Sequence, residues 1–228
     1  AVYAYTGAGY IQMIANSTEA GFTLNKDLYL DLNGCTVTGD FTMNKHILHG
    51  MDSTTDAYDG TNAGKIVGKV SGYDKTYQTP KVSGNVGDDA YKRYVAIPGE
   101  ENGTPTVSFH RFNISASGYR FELAAPQCAL FFIGKFQGDD AAKGYLTSLD
   151  FTLTDTIGGT TKDLSCAMPG SLSDGADGEK STVISEDGAY LFEAYLMRDI
   201  DKGDPTTYQT PFTATAQATF GNNGKQSE

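Results

Sequence analysis

An internal repeat constrains this chain more than any other feature. Residues 22–34 read FTLNKDLYLDLNG and residues 41–53 read FTMNKHILHGMDS. Phe22, Thr23, Asn25 and Lys26 recur as Phe41, Thr42, Asn44 and Lys45, an offset of 19 residues. At the same offset Leu24 becomes Met43, Leu28 becomes Ile47, Tyr29 becomes Leu48 and Leu32 becomes Met51. A period of roughly 20 residues, with short strands and turn residues, is the signature of a β-solenoid. One rung cannot bury its own apolar row, and the next rung, stacked like on like, completes the core. Leu28, Leu30 and Leu32 alternate with Tyr29 and Asp31, which places three leucines on one face at strand period. Asn33-Gly34 supplies a corner that tolerates left-handed backbone. A preceding strand is expected at 10–14 and a following one at 65–70. That makes about three rungs, close to the minimum at which stacked repeats become stable. The insert 52–62 (DSTTDAYDGTN) interrupts the period and reads as a surface loop.

The pattern changes after a polar stretch at 71–92, where the sequence places a domain junction. Strands are expected at 93–97, 106–115, 119–124, 128–136, 147–156, 181–185, 189–197 and 212–220. Alternation carries several of them: Leu149, Phe151 and Leu153 against Asp150 and Thr152, and Phe212, Ala214, Ala216, Ala218 and Phe220 against Thr and Gln. Short strands separated by turn signals indicate a β-sandwich. One short helix is expected at 140–146, with Asp139 as its N-cap. Residues 221–224 (GNNG) read as a hairpin turn whose returning strand is cut off, so the second unit is expected to be truncated. The expected fold is all-β: a short right-handed β-solenoid over residues 1–80, then an Ig-like β-sandwich over 81–228.

The formal charge of −11 disfavours partners with phosphate backbones, and no apolar run approaches the length of a membrane span. Three cysteines, Cys35, Cys128 and Cys166, without C-x-x-C spacing, argue against a disulfide scaffold or a structural zinc site. Buried free thiols are the expectation, with a Cys128–Cys166 bridge left open.

The segments DLYLDLNGCTVTG, KRYVAI, TVSFHRFNISASGYRFEL and TPFTATAQATF resemble a module pair of large secreted or surface-attached proteins of Gram-positive bacteria. In that pair, pectate-lyase-like rungs precede a sandwich. The resemblance covers most of the chain and rests on corners, core rows and hairpins. It implies an extracellular, secreted or cell-surface location and a role in adhesion, display or glycan contact. It carries over no catalytic residue. It also implies neighbouring domains of the same polypeptide, with a cell-surface glycan or protein as partner; the expectation of neither nucleic acid nor membrane insertion comes from the charge and the apolar-run length given above.

A solenoid raises the question of polysaccharide cleavage. Asn25-Lys26-Asp27 and His49-Gly50 match two of the four short motifs that polygalacturonases share. The Asp pairs Asp88-Asp89 and Asp139-Asp140 lie outside the expected rungs, and R-x-K does not occur. Glycoside hydrolysis needs two carboxyl groups held across a cleft, and three rungs give a groove of only about 15 Å. Asp52, Asp56 and Asp59, with Asn62, form the densest set of oxygen ligands and are the candidate Ca²⁺ site. A second acidic run lies at 173–179. Neither matches EF-hand spacing, and solvated turns explain both. Each would bind Ca²⁺ weakly, steadying a loop. His46 and His49, three apart on a strand, point to opposite faces, which argues against a shared metal. His110 reads as a hydrogen-bonded sheet residue, and Ser108-Phe109-His110 matches no triad motif.

Tyrosines at the junction are the remaining lead. Tyr73, Tyr77, Tyr91 and Tyr94 are the candidate ligand-binding residues, since exposed rings stack on sugars and domain junctions favour concave sites. Tyrosines buried to join two units give the same pattern. The leading expectation is a non-catalytic structural or interaction module. The alternatives are a glycan-binding module and a fragment of a polysaccharide-degrading enzyme.

Overall fold

The structure, a computed structural model, describes residues 3–5, 11–44, 46, 48–71, 81–83, 94–124, 126–167, 183–186, 189–200, 203 and 212–220. The described chain is mostly strand. It opens with β1 (Tyr3–Tyr5), β2 (Ile11–Met13), β3 (Ser17–Thr18), β4 (Phe22–Thr23), β5 (Leu28–Asp31), β6 (Thr36–Thr38), β7 (Phe41–Thr42), β8 (Leu48–Met51), β9 (Lys65–Val67) and β10 (Val70–Ser71). These strands build three parallel ladders: β2–β5–β8, β3–β6–β9 and β4–β7–β10. The chain visits each ladder once before returning to the first. β1 pairs antiparallel with β2.

Like residues stack as the repeat requires. Phe22 lies beside Phe41 with ring centroids 4.7 Å apart, and Phe41 pairs in turn with Val70. Leu24, Leu30, Leu32, Val37, Met43, Met51, Ile66 and Val70 share one buried core. Each fully buried side chain of this size contributes about 1.5–3 kcal/mol. Corner asparagines tie successive turns together. Asn33 Nδ2 donates to the Met13 carbonyl (3.0 Å) and Asn44 Nδ2 to the Leu24 carbonyl (3.2 Å). Both asparagines adopt positive φ, and Gly34 follows Asn33 at φ 74°.

The register differs from the repeat in one place. The 19-residue offset pairs Phe22 with Phe41, but Leu28 pairs with Leu48 and Tyr29 with His49, an offset of 20. The segment between β7 and β8 is one residue longer than that between β4 and β5, so Leu28 and Tyr29 meet Leu48 and His49 and not the residues 19 places ahead that the sequence suggests. A one-residue slip inverts every side chain of a strand; the extra corner residue absorbs it, and Leu30 and Leu32 stay buried.

The expected strand at 65–70 is two strands in different ladders, broken at Gly68. There φ is 152° and an added Cβ would lie 2.3 Å from the Gly39 carbonyl oxygen. Only glycine fits this corner. The insert is also more than a surface loop. It forms two short 3₁₀ turns, Ser53–Thr55 and Gly60–Asn62, capped by Asp52 and Asp59, with Asp52 and Thr55 fully buried.

The remaining elements are β11 (Lys81–Ser83), β12 (Tyr94–Glu101), β13 (Thr104–Ala124), β14 (Gln127–Gly138), α1 (Asp140–Tyr145), β15 (Leu146–Asp155), β16 (Thr161–Ala167), β17 (Val183–Glu186), β18 (Ala189–Asp199) and β19 (Phe212–Phe220). The helix stands where its Asp139 cap predicts, with Asp139 Oδ1 accepting from the Ala142 amide at 2.9 Å. The strands expected at 106–115 and 119–124 are one 21-residue strand, β13, with a register shift between Ala116 and Gly118. A bulge lets a long strand bend without ending. β16 was not expected, because its polar sequence shows weak alternation.

β13 joins the two parts. Its start pairs antiparallel with β9 (Thr106 with Val67, Val107 with Ile66), and from Phe112 onward it pairs with β14. An eight-stranded sheet therefore runs β17–β18–β14–β13–β9–β6–β3, with β12 as its eighth strand, paired to β13 off this path. Alternate residues of β13 serve different cores. Val107 and Phe109 enter the core of the ladders, while Phe112 and Ile114 enter a second core. The second core also takes Phe132 and Phe136 from β14, Leu149 and Leu153 from β15 and Phe220 from β19. Its strands come from the long sheet and from the four-stranded sheet β11–β19–β15–β16.

Candidate functional site

The candidate site grows from the insert. Asp52 and Asp31 are buried carboxylates, and each is saturated by donors. Asp52 Oδ1 accepts from the Gly34 amide (3.1 Å), the Thr54 amide (3.0 Å) and the Thr54 hydroxyl (2.5 Å), and Oδ2 accepts from the Gly64 amide (2.5 Å). Asp31 accepts from the Asn33 and Ser53 amides (both 2.9 Å) and from Gln12 Nε2 (2.8 Å). Buried carboxylates persist only where donors replace their water. Here that exchange folds the insert against the ladder corner.

Asp56 is held by a different group. Tyr94 OH donates to it, and Arg111 Nη1 donates to it at 3.0 Å while its guanidinium carbon lies 5.8 Å from the Tyr94 ring centre. Burial, and then the Asp56 carboxylate, push the Tyr94 phenol above its ordinary range. The Tyr94 ring belongs to the ladder core, so of the four junction tyrosines this one serves packing. Tyr73, Tyr77 and Tyr91 lie outside the described residues.

The three carboxylates nominated for Ca²⁺ are thus placed separately. Asp52 is buried in the turn, Asp56 meets Tyr94 and Arg111, and Asp59 caps the second turn by accepting from the Thr61 amide at 3.0 Å. Hydrogen bonds from the Thr61 side chain and amide lower the Asp59 carboxyl. Among the described residues no group of three or more His, Cys, Asp or Glu side chains converges as a metal site. The acidic run at 173–179 and the pair Asp88-Asp89 lie outside the described residues. Asp27 stands 3.6 Å from His46, and His49 stacks on Tyr29 with ring centroids 4.2 Å apart. Cys128 carries a buried free thiol and Cys35 a partly exposed one, and burial raises both.

Between the insert and α1 lies a cavity of about 630 Å³. The insert contributes Tyr58, Asp59, Gly60 and Thr61, and α1 contributes Asp140 and Lys143. His110 and Gln137, with the Asp139 cap, complete it from β13 and β14. Tyr58 adopts φ 59°, a conformation that costs a bulky residue about 1–3 kcal/mol. Its amide donates to the Thr55 carbonyl at 2.9 Å and its side chain bonds Arg111, so the strain is held in place by neighbours.

The rear of the cavity contains a relay that sequence motifs did not disclose. With its proton on Nδ1, His110 donates to Asp139 Oδ2 (2.5 Å) and accepts at Nε2 from the Ser108 hydroxyl (2.8 Å). His110 and Asp139 are 6% and 7% exposed. Burial pushes the Asp139 carboxyl up, but hydrogen bonds from His110 and from the Ala142 and Ala141 amides outweigh it and hold it below the ordinary range. Gly60 closes over this bond, where an added Cβ would stand 2.4 Å from Asp139 Oδ2. Ser-His-Asp chains activate nucleophiles when the serine meets substrate and oxyanion donors. Here His110 and Asp139 line the cavity and Ser108 does not. Ser108 and His110, two apart on one strand, share a face and were legible as a pair; Asp139 comes from 29 residues away.

Compared with known proteins, the chain matches no family, no curated sequence and no solved structure.

Proposed function

We propose that the chain is a non-catalytic structural and interaction module of an extracellular surface protein, serving adhesion or display. In this reading the ladders are a short right-handed β-solenoid of about three rungs, and the second core is that of an Ig-like β-sandwich that closes the solenoid's end. The observation that carries the proposal is β13, one strand hydrogen-bonded to both parts and supplying side chains to both cores. Such a connection suits a rigid body that holds a surface at a fixed distance. The two buried carboxylates at the ladder corner support the same reading, because Asp31 and Asp52 are occupied by structural donors and not presented across a groove. Glycan binding is the second reading, favoured by the cavity between the insert and α1.

The test addresses the Ser108–His110–Asp139 chain, a described constellation that could carry nucleophilic chemistry. The purified chain is treated with a fluorophosphonate probe and with activated esters, and the adducts are mapped by mass spectrometry. The expected result is no adduct on Ser108 and no turnover above buffer. A stoichiometric adduct on Ser108, absent in Ser108→Ala, would replace the module with a hydrolase.

A further inference from the structure

We infer that the cavity between the insert and α1 is a binding site for a neutral saccharide, an inference that rests on the interaction-module reading and gives it a ligand class. Four observations carry it. The volume, about 630 Å³, falls within the range of small-molecule sites and accommodates one or two sugar rings. The lining is mixed in the way a sugar requires. The Tyr58 ring offers an apolar face, Asp59 and Asp140 offer acceptors, and Lys143 offers donors. The Gln137 amide, which makes no hydrogen bond within the described residues, offers both. Vicinal hydroxyls both donate and accept, so they can satisfy a carboxylate and an amide side by side.

The charge balance selects against anions. Asp59, Asp139 and Asp140 face the cavity beside the single ammonium of Lys143, which also contacts Asp140 at 3.8 Å and lies 5.7 Å from the Tyr190 ring centre. Finally, the walls are preset. Tyr58 is held at positive φ, Asp59 caps its turn, and the His110–Asp139 bond is packed beneath Gly60. A prearranged wall loses little freedom when a ligand arrives, which is what lets a shallow polar site bind at all.

The experiment titrates the ¹⁵N-labelled chain with a panel of neutral disaccharides at millimolar concentration, beside galacturonate and an alkylammonium salt, and follows amide shifts. The expected result is a saturable response from at least one neutral disaccharide, centred on Gly60, Thr61, Gln137 and Asp140. Tyr58→Gly, which removes the ring yet suits the backbone, should weaken binding by about tenfold or more, and Tyr58→Phe should retain it. No saturable response to any neutral disaccharide would overturn the inference, as would equal binding by Tyr58→Gly or a preference for either charged probe. Those outcomes would leave the module reading standing, since its own failure is read separately from labelling of Ser108.

Discussion

Asp155 and Arg198 show what single residues contribute here. Arg198 grips Asp155 with two bonds, Nε to Oδ2 at 2.6 Å and Nη2 to Oδ1 at 2.5 Å, and both side chains are buried. Burial pushes the Asp155 carboxyl up, but the Arg198 bonds and the Gly158 and Ile157 amides outweigh it and lower the value. Arg198→Ala would strand a buried carboxylate, so we expect a loss of about 3–5 kcal/mol in denaturant unfolding at neutral pH. Asp139 is lowered as well. A carboxyl lowered by folding stabilises the fold fully above the unfolded value, roughly 3.9, and loses that contribution as pH falls through the folded value. Unfolding midpoints should therefore hold between pH 7 and 5 and fall below about 4, and Arg198→Ala should flatten that fall. At this scale the sequence disclosed local geometry: the Asn33-Gly34 corner and the Asp139 cap depend on neighbours in the chain. It could not disclose the duties of Asp31 and Asp52, whose donors Gln12, Ser53, Gly34 and Gly64 arrive from other turns.

Among elements, the β12–β13 hairpin does the work of a cap. Phe109 fills the end of the ladder core and lies against Gly50, where an added Cβ would come within 2.0–2.4 Å of its ring. Gly50→Ala should cost about 1–3 kcal/mol by overpacking, and Phe109→Leu in the same chain should restore part of that loss. The non-additivity, read from a double-mutant cycle in urea, checks the contact. If the two substitutions add independently, the Phe109 ring does not pack on Gly50. The repeat made the ladders legible because like residues recur at a fixed offset. The change to an offset of 20 was hidden, since Ile47 and Leu48 are both apolar and either satisfies the pattern. β13 was hidden for a related reason: Ala116 to Gly118 read as a break, yet the strand crosses them with a register shift.

For the whole molecule, the sequence anticipated two units with a boundary near residue 80, and most of the stretch it used lies outside the described residues. What it missed is the bond between the units. Periodicity reports which residues face a core but not that Phe109 and Phe112, three apart on one strand, face two different ones. The cavity was missed for the same reason, because its walls come from the insert, β13, β14 and α1 together. A module joined in this way should unfold as one body. The most direct test is hydrogen exchange of the intact chain across a guanidinium titration, comparing peptides from β5 to β9 with peptides from β14 to β18. Both sets should lose protection at the same denaturant concentration. Loss of the ladder peptides in a separate, earlier transition, with β14 to β18 still protected, would contradict it.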